Sequence, residues 1–178
     1  MKNLVLLFSS ILLGFCSCNK NDDAPAPPIT AENTFSCNID GELFIPKDYG
    51  GFIPLHGYLI NILEDNSWII TLGNEHNTLY LFIKKIDHTG KYKVFSSDGD
   101  QDFLYDENTV IELRDRANNI EYSSITGSEN IDVLSFTSGE KLILKFDKIV
   151  LESTTNPNEI ITLTNGKLNI NKETLNKD

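Results

Sequence analysis

The densest run of residues able to do chemistry is SSDGDQDFLYDE, residues 96–107. There Asp98, Asp100 and Asp102 alternate, and Asp106 and Glu107 follow. Carboxylates are hard oxygen donors, and Ca²⁺ takes about six to eight oxygens. From Val94 to Leu113 there are six acids and no Lys or Arg. The spacing does not build an EF-hand. With Asp98 as first ligand, the sixth position is Phe103, where that loop needs Gly, and the twelfth is Thr109, where it needs Glu. An irregular Ca²⁺ loop from Asp98, Asp100, Asp102, Asp106 and Glu107 is the sharpest metal reading. A solvated acidic loop that keeps the chain soluble is the plainer reading, and the preferred one. No other cofactor is expected.

Other chemistries find less support. His56, His76 and His88 lie in or beside turn sequence, without HxH or HExxH spacing and without a Cys pair, so zinc has no motif. There is no GxSxG elbow and no Gly-rich phosphate loop followed by Lys. Cys37 alternates with Phe35 and Ile39, which makes it a small core residue, and Asp40 and Glu42 beside it would not stabilise a thiolate. No catalytic residue is assigned. Trp68 alternates with Ile70 and Leu72 and belongs to the core as well. That leaves PKDYGGFIPLHG, residues 46–57, the longest irregular segment with apolar content. Long loops that resist strand assignment are often binding loops, so Tyr49, Phe52 and His56 are candidate ligand contacts. Equally, Phe52, Ile53 and Leu55 can fold inward to cap the core.

The elements that must hold these residues are strands. Ala occurs four times against 20 Ile and 13 Thr, a balance that disfavours helix. From Thr34 onward the pattern has period two with turn punctuation. Asp40-Gly41 separates Phe35–Ile39 from Glu42–Ile45, a strong hairpin signal. Further short turns separate Tyr58–Leu63 from Ser67–Leu72, and Ile131–Thr137 from Glu140–Phe146; Ile149–Glu152 is read as a strand of its own. Leu79–Ile83 is apolar on both faces, as in a strand covered on both sides. Asn165-Gly166 marks a last turn or a bulge, because apolar parity slips between Leu163 and Leu168. Roughly a dozen short strands in an antiparallel β-sandwich is the expected all-β fold, with a small β-barrel as the alternative.

The N-terminus carries an address. Lys2 precedes an apolar run from Leu4 to Phe15, about twelve residues where a membrane span needs about 20, so it reads as a signal peptide. Cys18 follows the small Ser17, whereas Cys16 follows the bulky Phe15; the segment resembles a bacterial lipobox with Cys18 as the lipidated residue. Residues 1–17 form the signal peptide, 18–33 a polar, Pro-rich tether, 34–171 one β domain and 172–178 a tail. Bacterial lipoprotein cysteines carry a diacylglycerol and an N-acyl chain, and two or three chains make a stable anchor. Lys20-Asn21-Asp22-Asp23 resembles the surface-export signal of Bacteroidetes-type lipoproteins.

Three motifs extend that likeness into the body: FSCNIDGELFIP (35–46), TGKYKV (89–94) and ITLTNGKLNI (161–170). Through them the chain resembles a family of Bacteroidetes-type lipoproteins, a lipobox signal followed by an all-β domain. The resemblance implies architecture and an outer-membrane, surface-exposed location; it carries over no catalytic residue. The chain has 178 residues, with 15 Lys+Arg against 26 Asp+Glu and a net charge of −11. That balance argues against nucleic acid. Cleavage before Cys18 also removes Lys2 and makes the mature chain one unit more acidic. The expected role is a lipid-anchored envelope domain that acts without catalysis through binding or assembly, with a surface protein, a glycan or a divalent cation as partner. A carbohydrate-active enzyme or other hydrolase with separated carboxylates is the alternative, and a purely structural component the third.

Overall fold

The computed structural model describes residues 31–50, 55–97, 108–127 and 129–175. Cys18, Phe52 and the acidic candidates Asp98, Asp100, Asp102, Asp106 and Glu107 lie outside the described residues. Every regular element among those described is a β-strand, as the period-two pattern predicts. The eleven strands are β1 Thr34–Ile39, β2 Glu42–Phe44, β3 Tyr58–Ile62, β4 Trp68–Gly73, β5 Asn77–Ile83, β6 Gly90–Lys93, β7 Val110–Asp115, β8 Ile120–Ser124, β9 Asn130–Thr137, β10 Lys141–Ser153 and β11 Ile160–Asn171. They make one curled antiparallel sheet, a half-barrel, in the order β2-β1-β11-β10-β8-β7-β5-β4-β3.

Two strands are long where the sequence suggests short ones. Glu140–Phe146 and Ile149–Glu152, read as two strands, are one, β10. Its first part pairs with β9, which pairs in turn with β6, and its last residues pair with β8. The β10–β11 hairpin is thus a spine from which two wings diverge. The bend lies at a double irregularity. Along β10 the buried positions run Leu142, Leu144, Phe146 and then Ile149, Leu151, with Asp147 and Lys148 exposed between. Along β11 they run Ile161, Leu163 and then Gly166, Leu168. Each strand has one additional residue at the same level. The β10–β11 register therefore passes through unbroken, from Phe146 opposite Gly166 to Ile149 opposite Leu163. β1 has no such residue and shifts its register against β11 between Ser36 and Asn38. Asn165 sits at the bend with φ of 56°, a conformation Asn tolerates better than most residues. Asn165-Gly166 is thus a bulge inside β11.

The inner face closes on one core. Trp68, Ile70 and Leu72 of β4 meet Leu79, Leu81 and Ile83 of β5, with Leu142, Leu144 and Phe146 of β10 and Leu168 and Ile170 of β11. Cys37 is fully buried in this cluster, and burial pushes its thiol pKa well up. The curl is pinned by polar links. The Phe35 N–H of β1 donates to the Tyr58 hydroxyl of β3 at 3.1 Å. Asn66, with φ of 63° in the β3–β4 turn, accepts from the Trp68 indole N–H at 3.3 Å and the Gly139 N–H at 3.1 Å, tying that turn to the β9–β10 turn. Phe82 and Val110 are buried on the opposite face, with Leu63, Ile69 and Tyr80 against them. β5 is covered on both sides, as its continuous apolar run predicts.

Candidate functional site

The segment leaving β2 builds a chemically varied surface. Residues 46–50 return along the ends of β3 and β4. The Lys47 N–H donates to the Gly73 carbonyl at 2.9 Å, and Tyr49 and Leu55 exchange backbone hydrogen bonds at 3.0 and 2.7 Å. This approach needs glycine at position 57, because a Cβ there would lie 2.6–2.9 Å from Lys47 backbone atoms. Asp48 fixes the same turn: its Oδ1 accepts from the Gly57 N–H at 2.7 Å, and its Oδ2 lies 3.5 Å from His56 Nδ1.

Tyr49 is held from the side by a residue distant in sequence. The guanidinium of Arg116, just past β7, stacks over the Tyr49 ring with its carbon 4.1 Å from the ring centre. Arg116 also donates through Nη2 to the Tyr49 hydroxyl and through Nε to Thr78 Oγ1 at 2.8 Å. Its backbone N–H donates to the His76 carbonyl at 2.8 Å, so the β4–β5 turn is tied to the end of β7. That turn is shaped by Asn74, whose Oδ1 accepts from the N–H groups of His76 and Asn77 at 3.0 and 2.9 Å. A cation–π contact of this kind contributes about 0.5–2 kcal/mol depending on desolvation.

The result is an open groove of about 600 Å³ whose lining includes Asp48, Tyr49, Asn74, Glu75 and His76. That volume falls within the about 300–1,000 Å³ typical of ligand pockets. One aromatic ring, one amide, two carboxylates, an imidazole, the Lys47 ammonium and the Ile45 side chain are among the groups that line it, a set able to contact both the faces and the hydroxyls of a sugar. Of the sequence candidates, Tyr49 lines this groove, and exposed His56 joins it through Asp48. Phe52 falls outside the described residues, as do the five acids of the possible Ca²⁺ loop. The described residues hold no group of three or more His, Cys, Asp or Glu able to bind a metal. Sequence reasoning missed Arg116, Thr78 and His76. A signal was present: the chain has only two arginines, at positions 114 and 116, spaced to share one face of a strand. The chain matches no family model, no curated protein and no solved structure.

Proposed function

We propose that this chain is an outer-membrane lipoprotein, anchored through lipid on Cys18 and displayed at the cell surface, whose β domain binds a glycan without catalysing a reaction. The observation that carries the binding role is the groove beside Tyr49. It is open, it mixes an aromatic ring with planar polar side chains, and it is held by backbone and Arg116 contacts before any ligand arrives. Preorganisation of that kind lowers the ordering cost of binding. The location draws on the short apolar run ending at Ser17-Cys18 and on the Lys20–Asp23 signal beyond it.

The experiment pairs location with ligand. Protease shaving of intact cells removes the domain if it is displayed outside; full protection overturns surface display. A glycan array probed with wild type and Tyr49→Ala tests binding: signal lost with the ring supports it, and no signal for either protein overturns it. Asp48 and Glu75 both line the groove, which keeps a hydrolase as the second reading. Asp48 is already engaged by the Gly57 N–H and His56, a poor start for a nucleophile or proton donor. Turnover of an array hit that disappears in Glu75→Gln would favour the enzyme.

A further inference from the structure

Both arginines of the chain converge on one place. Arg114 of β7 and Arg116 beyond it line a depression of about 280 Å³ on the outer face of the sheet, with Thr78 and Tyr80 of β5 and Asn119 of the β7–β8 turn. The other 13 cationic residues are all lysines. Arg differs from Lys in offering a planar fork of donors that matches a carboxylate two bonds at a time. In an acidic chain, placing both forks in one depression singles out this spot for an anion.

The hydrogen bonds present orient the forks without exhausting them. Arg114 Nη2 donates to Asn119 Oδ1 at 3.2 Å, and its Nε lies 3.8 Å from Glu121 Oε1. Arg116 uses Nε and Nη2 on Thr78 and Tyr49. Among the described residues, these contacts leave Nη1 of each guanidinium for a ligand. Among the described residues the lining carries two positive charges and no acid, and Glu121 beside it offsets one. A balance of one positive charge suits a monoanion. Tyr80, its phenol pKa raised by burial, lines the depression together with both guanidinia. Thr78 and Asn119 add neutral polar groups of the kind that hydroxyls contact. The volume lies just under the about 300–1,000 Å³ of drug-sized sites, room for one sugar residue or a small acid.

The geometry points to a subsite for a carboxylate flanked by hydroxyls, supplied by a uronate residue of a glycan or by a free hydroxy acid. This rests on the binding role proposed above and names the charge that role selects. The shared residue Arg116 joins the subsite to the Tyr49 groove, so a chain of sugars can reach from one to the other.

Titration calorimetry on the purified full mature chain tests it with galacturonate, trigalacturonate, lactate, glucose and inorganic phosphate as probes. The subsite predicts heat from the carboxylate probes, none from glucose, and a loss of roughly tenfold or more in Arg114→Gln, since a bond to a charged group is removed. Arg114→Lys keeps the charge but not the fork and also weakens binding, which a purely electrostatic patch would not require. Trigalacturonate binding more tightly than galacturonate identifies a glycan as the source; equal binding of lactate and galacturonate identifies a free acid. Should Arg114→Gln fail to fold, Asn119→Gly at the exposed turn, where φ of 54° suits glycine, takes its place with the same expectation. Phosphate binding in preference to carboxylates overturns the assignment, as does carboxylate binding untouched by these variants or the absence of heat from every acid. Neutral glycan binding lost in Tyr49→Ala, with no carboxylate binding, overturns the anion subsite while the groove reading stands.

Discussion

Replacing Gly166 by Ala strikes the bend on which both wings of the sheet depend. A Cβ at that position would fall closer than 3.0 Å to three atoms of the Phe146 ring, which is its cross-strand partner and 2% exposed. The φ of Gly166 lies outside the left-handed region, so backbone strain adds nothing and the effect is steric. Two responses are open. If the ring stays, backbone and neighbours shift, and overpacking of this kind costs about 1–3 kcal/mol. If the ring leaves, its burial is forfeited, bounded by the about 3–5 kcal/mol of a Phe→Ala change. Opposing both, Ala stiffens the unfolded chain, a gain of about 0.4–1 kcal/mol. The expected net loss is about 2 kcal/mol, or roughly 4–8 °C in melting temperature for a domain of this size. Urea unfolding followed by circular dichroism measures it. A cycle with Phe146→Leu adds the mechanism: the smaller side chain makes room, so the double variant loses at least about 1 kcal/mol less than the two singles together. A Gly166→Ala protein within about 0.5 kcal/mol of wild type, or strict additivity, refutes the packing argument.

Other outcomes follow from particular contacts. Arg116→Lys loses the stack on Tyr49 and the fork to Thr78; it costs about 1–2 kcal/mol and speeds amide hydrogen exchange at Lys47 and Tyr49, and unchanged exchange would contradict that anchoring. Tyr122 is buried and donates to Glu159 Oε1 at 2.7 Å; burial first, and that carboxylate second, push its pKa from 10.0 to about 12. The folded state then holds this proton more tightly than the unfolded state does. Its contribution is full below pH about 10 and is lost as pH rises through about 12, so Tyr122→Phe flattens the alkaline limb of a stability profile. In the mature protein Cys37 is unreactive toward a thiol reagent until urea unfolds the domain, because burial disfavours the thiolate; rapid labelling of the folded protein would place it elsewhere.

Period two was enough to turn Trp68, Ile70 and Leu72 inward and to mark β5 as covered on both faces, because burial on a strand alternates by residue. The parity slip near Asn165-Gly166 is compatible with a last turn or a bulge, and the unbroken run of β11 decides for the bulge. The change of parity between Phe146 and Ile149 separates two strands on the sequence alone, since the sequence does not show that β11 carries its additional residue at the same rung. Within the candidate site, Tyr49 was legible from its irregular segment. Arg116 was not, because its contact with Tyr49 spans 67 residues of sequence and depends on the curl that sets the end of β7 beside the β4–β5 turn. The rarity of arginine was the available clue, and strand spacing would have placed Arg114 and Arg116 on one face.

The central claim, a binding domain held to the envelope by lipid, meets its most direct test in intact mass measurement of the mature protein, combined with detergent phase partition of wild type and Cys18→Ala. Lipid anchoring predicts a mature chain that begins at Cys18, carries diacylglycerol and an N-acyl chain, and enters the detergent phase, while Cys18→Ala stays uncleaved at that site and unlipidated. An unmodified Cys18 in a protein that remains in the aqueous phase, or a Cys18→Ala protein that still carries the lipid mass, would contradict it.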